Sequence, residues 1–272
     1  MKLASWKSLT WIIRRSDVVL EVVDARDPIA TRSYRLEKLV KKLDKKLIIV
    51  INKSDLVPRH VAEKWKRIFV DEGIPATYIV ANQHKGTRIL RKTIREVTEI
   101  SPIVVAVVGF PKTGKSSIIN ALKGKHSAST SPIPGSPGYT VQARLYRVGR
   151  TLYLIDTPGI IPVEGGELES VIRGKPPEQL DDPVKPAIQL LQRALKYNPK
   201  SVKEAYGIVE TDPYKILELI ALRRGWRYKS DKEPLVEEAA RTVIRDYHEA
   251  KLRFYIPPEE YLSRKRGKTP NV

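Results

Sequence analysis

The clearest chemical signal in the chain is a phosphate-binding loop. Residues 109–116 read Gly-Phe-Pro-Lys-Thr-Gly-Lys-Ser, which fits the pattern Gly-x4-Gly-Lys-Ser/Thr. An apolar run at 103–108 precedes the loop and a helix-like pattern at 117–122 follows it. Backbone N–H groups of such a loop surround a β-phosphate, and the positive end of the helix adds to the attraction. The predicted nucleotide ligands here are Gly109, Lys112, Thr113, Gly114, Lys115, Ser116 and Ser117, with Lys115 as a catalytic contact to the phosphates and Ser116 as a Mg²⁺ ligand.

A second group of candidates lies further along the chain. Asp156-Thr157-Pro158-Gly159 fits Asp-x-x-Gly, which occurs about once by chance in a chain of this length, so its position after the apolar run 151–155 carries the argument. There Asp156 can hold Mg²⁺ through water and the Gly159 N–H can meet a γ-phosphate as a catalytic contact. Thr140, in a Ser-, Pro- and Gly-rich stretch, is predicted to close on Mg²⁺ and the γ-phosphate as a catalytic part of a switch. A turn aspartate and an inert flexible loop are the plain alternatives.

A base-recognition loop is predicted at residues 52–55, which read Asn-Lys-Ser-Asp after the apolar run 47–51. A carboxylate accepts from guanine N1–H and the exocyclic amine together, whereas adenine offers no such pair of donors, so Asp55 would select guanine. An ordinary polar loop is the alternative. The predicted guanine-site ligands are Asn52, Lys53, Asp55, Ala81 and Asn82, with the Ala81 N–H donating to guanine O6.

Apolar runs alternate with helix-like segments over the first 160 residues, at 18–23, 47–51, 77–80, 103–108 and 151–155. This pattern predicts an α/β fold, with a mostly parallel, doubly wound sheet covered on both sides. The base-recognition loop precedes the phosphate loop, although it comes last in ordinary GTPases. Loops that leave the carboxyl ends of parallel strands meet one ligand whatever their order along the chain. We therefore expect a P-loop NTPase G domain that is circularly permuted.

The second part of the chain reads as helical. Helices are predicted over 187–196, from Asp212-Pro213 to Gly225, and over 235–252. The predicted organisation is a G domain over 1–165, a linker over 166–186, a small all-α domain over 187–262 that binds RNA, and a disordered basic tail over 263–272.

The permuted order, the segment Asp24-Ala25-Arg26-Asp27-Pro28 and the loop 52–55 resemble the circularly permuted GTPases of ribosome assembly, the YlqF/YawG-like proteins, with nucleostemin more distant. The resemblance covers residues 10–162, and the stretch 240–254 is similar to that family's final helix. It implies GTP/GDP binding with Mg²⁺, GTP hydrolysis with slow intrinsic turnover, and assistance to large ribosomal subunit assembly. It also implies that the protein binds rRNA or the large ribosomal subunit.

Composition supports a polyanionic partner. The chain carries 50 Lys and Arg against 31 Asp and Glu, a formal charge of +19, and has no cysteine. No apolar run is long enough to cross a bilayer, so we expect no membrane partner. The lack of cysteine and of an apolar signal-peptide core at residues 1–6 makes a cytoplasmic location the default expectation. We also expect a monomer when the protein is not on the ribosome. Two clusters are candidate RNA contacts: Arg88, Arg91, Lys92 and Arg95 in one, and Arg223, Arg224 and Arg227 near Trp226 and Tyr228 in the other. The alternative interpretation of each cluster is an ordinary solvated surface.

Two positions depart from common GTPase patterns. Ile160 stands where many GTPases have a glutamine that orients water, so its side chain cannot make that hydrogen bond. Lys112 stands where many relatives have an asparagine that helps to hold K⁺, and its ammonium could replace that ion or point to solvent. A GTP-binding sensor with negligible hydrolysis, a P-loop kinase or ATPase, and a GTPase with a protein or membrane partner remain as alternatives.

Overall fold

The computed structural model describes residues 6–123, 129–132, 144–156, 167–230 and 232–266. The chain forms two compact units. One comprises the chain up to residue 164 together with the segment from Tyr261 onward, and the other comprises residues 165–260.

The first unit is an α/β domain. Its described strands are β1 (Val18–Asp24), β2 (Lys46–Asn52), β3 (Ala76–Tyr78), β4 (Ile103–Gly109), β5 (Ser129–Pro132), β6 (Arg144–Val148) and β7 (Leu152–Asp156). Its described helices are α1 (Trp6–Arg14), α2 (Tyr34–Lys42), α3 (Arg59–Asp71), α4 (Thr87–Glu96) and α5 (Lys115–Lys123).

These strands form one sheet in the order β3-β2-β1-β4-β7-β6-β5. The first five are parallel, and β6 and β5 are antiparallel to their neighbours. The prediction of an α/β, mostly parallel sheet in a G-domain fold is confirmed. Strands β5 and β6 were not predicted, since Ser-Thr-Ser-Pro and Arg-Leu-Tyr-Arg-Val lack the apolar run typical of a strand buried on both faces.

Strand β1 lies in the middle of the sheet and every one of its residues is buried. Successive side chains of a strand point to opposite faces. Val18, Leu20 and Val22 therefore pack in one cluster with apolar residues of α4 and α5, while Val19 packs on the other face with residues of α1 and α2. Both faces of the sheet are thus covered by helices.

The second unit is helical. Its helices are α6 (Glu167–Gly174), α7 (Val184–Tyr197), α8 (Ser201–Tyr206), α9 (Pro213–Arg223) and α10 (Val236–His248). The segment 166–186, predicted as a linker, is partly helical, because α6 and the turn after it place Leu168, Ile172 and Leu180 in the core of this unit. The tail predicted from residue 263 begins inside a further helix, α11 (Pro258–Arg266). Among the described helices, none has the length and apolar character needed to cross a bilayer.

Candidate nucleotide site

The candidate site lies where three neighbouring strands end. Strand β1 runs between β2 and β4, so the strand order reverses its direction at β1, and ligands of open α/β sheets bind at such a switch point. Asp24 ends β1, Asn52 ends β2 and Gly109 ends β4. The predicted base-recognition loop and phosphate loop therefore leave the same edge of the sheet, on either side of Asp24.

Hydrogen bonds join these two loops directly. Asn52 Nδ2 donates to the carbonyl oxygen of Thr113 at 2.9 Å, and Lys53 Nζ donates to the carbonyl oxygen of Lys112 at 2.7 Å. The Ala81 N–H, predicted to reach guanine O6, donates instead to Asn52 Oδ1 at 3.2 Å. Segments that lie 29 to 61 residues apart along the chain are thus held in contact.

The phosphate loop depends on close backbone packing. A Cβ atom on Gly109 would lie 2.5 Å from the Val22 carbonyl oxygen, and a Cβ on Gly114 would lie 2.1 Å from Asn52 Nδ2. Lys115 Nζ donates to the Phe110 carbonyl oxygen at 2.7 Å, which curls the loop back over its own start. The Thr113 hydroxyl is buried and donates to the same carbonyl at 2.9 Å, so its side chain closes the loop rather than facing a ligand.

Several other predicted ligands are open to solvent. Asp55 lies in a short 3-10 turn after β2, and Ser116 lies in the first turn of α5. Ser117 is partly buried in the same turn, and the exposed members of the predicted set are Asp55, Asn82, Lys112 and Ser116. These exposed polar groups lie near the carboxyl ends of parallel strands, where ligands of open α/β sheets bind.

The predicted Mg²⁺ ligands are described only in part. Asp156 ends β7, which pairs in parallel with β4, so its backbone lies at the same edge of the sheet as the phosphate loop. The side chain of Asp156 and the whole of Thr140, Gly159 and Ile160 lie outside the described residues. Over the part of the chain that is described, no three acidic or histidine side chains cluster in a way that would hold a metal ion. Ser116 and Asp156 supply hard oxygen donors, the type that Mg²⁺ prefers.

Asp24 and Arg26, to which no role was predicted from the sequence, also lie in this site. The Asp24 carboxylate is fully buried, accepts two hydrogen bonds from the Arg26 guanidinium at 3.0 and 2.9 Å, and accepts another from Lys53 Nζ at 3.0 Å. The sequence does hold a signal for Asp24, because it is an acidic residue that directly follows a buried apolar run. The neighbouring strand leads to Asn52.

A second charged network lies beside β1. Glu21 is fully buried, and its Oε1 accepts from the Ser33 N–H at 2.6 Å at the start of α2. Burial, assisted by the nearby Glu37 charge, raises the pKa of Glu21 to about 8, against the lowering effects of the Ser33 N–H and Arg32. Arg32 forms ion pairs with Glu37 and with Glu72.

Glu72 connects this network to helix α11. It accepts hydrogen bonds from Tyr261 Oη at 2.7 Å and from Lys265 Nζ at 2.9 Å. Burial acts to raise the pKa of Glu72, but hydrogen bonds from Tyr261, Lys265 and Arg32 outweigh it and hold the pKa below its ordinary value. Residues of α11 are thereby joined to Glu72, the residue that directly follows α3.

The two predicted RNA-contact clusters differ in the solvent exposure of their basic side chains. On α4, Leu90 and Ile94 face the core while Arg88, Lys92 and Arg95 are exposed. Arg91 is partly buried and donates to the carbonyl oxygen of Leu122, so it joins α4 to α5. In the second unit, Arg223, Arg224, Arg227 and Tyr228 are exposed, and Arg224 stacks over the Trp226 ring at 5.0 Å.

The chain is similar to known GTPases and GTP-binding proteins. A family model described as 50S ribosome-binding GTPase matches residues 104–205. The chain is 37% identical over 254 residues to the uncharacterized GTP-binding protein MJ1464 of Methanocaldococcus jannaschii, a match that covers 92% of this chain and 66% of that protein. It is 34% identical over 268 residues to nucleolar GTP-binding protein 2 of Neurospora crassa, covering 94% of this chain and 42% of that protein.

The fold is also that of solved structures. GNP-bound YlqF from T. maritima matches with a TM-score of 0.64 and 24% identity, over 93% of this chain and 97% of that chain. GDP-bound YlqF matches with the same TM-score and identity. The chain spans less than two thirds of the length of the curated relatives named above and nearly the whole length of these structures.

Proposed function

Since this chain belongs to the family of circularly permuted GTP-binding proteins, we propose that it is a Mg²⁺-dependent GTP hydrolase that works as a switch in large ribosomal subunit assembly. It binds rRNA or a pre-ribosomal particle in its GTP state, acts in the cytoplasm and is monomeric away from the ribosome. The observation that carries the proposal is the pair of hydrogen bonds from Asn52 and Lys53 to the phosphate loop. They set a base-recognition loop and a phosphate-binding loop side by side, as one guanine nucleotide requires.

The residues have distinct tasks in this proposal. Asp55 accepts from the guanine edge, and the backbone of 109–114 surrounds the phosphates. Lys115 exchanges its hydrogen bond with the Phe110 carbonyl for the β- and γ-phosphates. Ser116, Asp156 and Thr140 would hold Mg²⁺, which neutralises charge on the transferred phosphate when bound. Gly159 meets the γ-phosphate through its N–H.

Slow turnover follows from the sequence at position 160. Ile160 has no group that orients water, so a partner surface has to supply or complete the catalytic groups. We therefore propose that ribosomal particles accelerate hydrolysis. The other candidate, a GTP-binding sensor with negligible hydrolysis and a protein partner, rests on the same residue.

Two basic surfaces support RNA as the partner. The exposed cations of α4 supply charge for phosphates. The cluster in which Arg224 lies over the Trp226 ring adds aromatic side chains, on which unstacked bases can pack. Replacing Arg88 and Arg95 by Gln should weaken RNA binding uniformly across sequences and flatten its dependence on salt.

The test is co-sedimentation with large ribosomal subunits, with the protein loaded with a non-hydrolysable GTP analogue or with GDP. The proposal requires stronger binding in the GTP-like state and faster GDP production when subunits are added. Nucleotide displacement should favour GTP over ATP. Preference for ATP would make the protein an ATPase or kinase, and unchanged hydrolysis with subunits would favour the sensor.

A further inference from the structure

The carboxylate of Asp24 lies between two cations at the centre of the site. Arg26 approaches it with both arms of its guanidinium, Nε at 3.0 Å from Oδ1 and Nη2 at 2.9 Å from Oδ2. Its backbone N–H adds a third bond to Oδ1 at 3.1 Å. Both side chains are buried. A bidentate pair of this kind fixes the orientation of the carboxylate as well as its position.

Lys53 meets the same carboxylate from the neighbouring strand end. Its Nζ lies 3.0 Å from Asp24 Oδ2 and 2.7 Å from the carbonyl oxygen of Lys112 in the phosphate loop. A lysine side chain carries about 2 kcal/mol of rotamer entropy that must be lost before it can hold one position. Two acceptors, one of them charged, restrict the position of the Lys53 ammonium.

The backbone around Asp24 is itself tightly held. The Asp24 N–H donates to the buried Thr31 hydroxyl at 2.9 Å, and that hydroxyl donates to the Asp27 carbonyl oxygen at 2.8 Å. The Ala25 N–H donates to the Asn52 carbonyl oxygen at 2.9 Å. The end of β1 is therefore attached to the base-recognition loop by the backbone of Ala25 and by the side chain of Asp24.

Stability alone is a poor explanation for this arrangement. A buried ion pair often contributes no more to stability than apolar side chains of the same volume, because both charges lose their hydration. What apolar side chains cannot do is hold an ammonium at a defined point between two loops.

We propose that Asp24 is a positioning residue for the guanine-nucleotide site. With Arg26 as its partner, it holds Lys53 against the phosphate loop, so that the two loops stay in contact. This inference rests on the proposed binding of guanine nucleotide and adds a residue to it. Asp24 acts through Lys53 and needs no contact with the ligand.

A double-mutant cycle tests the proposal on the full chain. GDP affinity is measured by fluorescence of a labelled GDP for the wild type, Asp24→Asn, Lys53→Met and the double variant. Loss of one charged hydrogen bond to Lys53 should weaken binding by about tenfold in Asp24→Asn. In the Lys53→Met background the same change should cost less than about twofold, because its target is already absent.

A matched control is the aspartate that directly precedes β1. Asp17 precedes the other end of β1, where its Oδ2 accepts from the Val104 N–H at 2.8 Å. Asp17→Asn makes the same chemical change away from the nucleotide loops and should leave GDP affinity within about twofold of the wild type. Steady-state kinetics add a second readout, since Asp24→Asn should raise KM for GTP more than it lowers kcat.

Asp24→Asn leaves Arg26 buried with a weakened partner, so folding is checked by thermal unfolding. If that variant does not fold, Asp24→Asn/Arg26→Met removes both buried charges and should show the same loss of affinity. Equal costs of the Asp24 change with and without Lys53, or unchanged GDP affinity in a folded variant, would overturn the inference. Failure of the wild type to bind GDP would instead overturn the proposed function.

Discussion

Replacing Gly114 by alanine tests whether the two nucleotide loops depend on each other. Gly114 has φ +99°, and an added Cβ would lie 2.1 Å from Nδ2 of Asn52. The side chain of Asn52 would have to move away from the phosphate loop. We therefore expect Gly114→Ala to lower stability and to weaken guanine-nucleotide binding together.

The size of the effect follows from the contacts that are lost. Asn52 donates to the Thr113 carbonyl and accepts from the Ala81 N–H, and each buried hydrogen bond contributes about 1 kcal/mol. A left-handed backbone adds about 1–2 kcal/mol of strain for a residue with a Cβ. The total is about 3–4 kcal/mol of unfolding free energy.

Gly73 provides the matched control. It also has a left-handed backbone, at φ +82°, but an added Cβ would meet nothing within 4 Å. Gly73→Ala should therefore carry the strain of about 1–2 kcal/mol and leave GDP affinity unchanged. Urea unfolding and labelled-GDP titration compare the two variants. Equal destabilisation of both, with GDP affinity retained in Gly114→Ala, would refute the link between the loops.

Three further predictions concern charge. Since burial raises the pKa of Glu21 to about 8, the folded state keeps a proton that the unfolded chain releases above the ordinary glutamate pKa, and stability is lost at up to about 1.4 kcal/mol per pH unit as pH rises towards 8. Glu21→Gln should remove that loss, so its advantage over the wild type in urea unfolding should grow with pH, and a constant difference would contradict the assignment. Tyr261→Phe removes a hydrogen bond to the Glu72 carboxylate and should cost about 1 kcal/mol at pH 7. Because that bond helps to hold the folded-state pKa of Glu72 below its ordinary value, the cost should shrink as pH falls below the ordinary glutamate pKa and the folded state takes up a proton; equal costs at both pH values would count against it. If the Lys112 ammonium takes the place of a K⁺ ion, GTP hydrolysis should proceed equally fast in K⁺ and Na⁺ buffers, and a steep rise in K⁺ would show otherwise.

The sequence was most informative where an element is local and buried on both faces. The apolar runs predicted β1, β2 and β4 because strands in the middle of a parallel sheet have no polar face. Helix α2 ends at Lys42, because Asp44 adopts a left-handed backbone and β2 already begins at Lys46. Strand β5 forms by antiparallel pairing with β6, and its own residues, Ser-Thr-Ser-Pro, do not indicate a strand.

The residues of the site also divide into those that local sequence predicts and those that depend on long-range contacts. The glycines and Lys115 could be identified from spacing, because the phosphate loop is a local structure. The contacts of Asn52 and Lys53 with that loop, and the placement of Asp24 between the two loops, depend on strand order across the sheet. Strand order follows from long-range packing, which a pattern of single residues does not contain.

Guanine recognition is measured most directly by changing one hydrogen-bonding group on the base and one on the protein. Xanthine keeps the N1–H of guanine but has a carbonyl oxygen in place of the exocyclic amine, so a carboxylate at position 55 repels it and an amide at that position can donate to it. Competition between GDP and XDP is measured for the wild type and Asp55→Asn. The wild type should prefer GDP by at least about a hundredfold, and the variant should prefer XDP. A variant that still binds GDP as the wild type does would show that Asp55 does not contact the base and that the two loops do not enclose a guanine nucleotide.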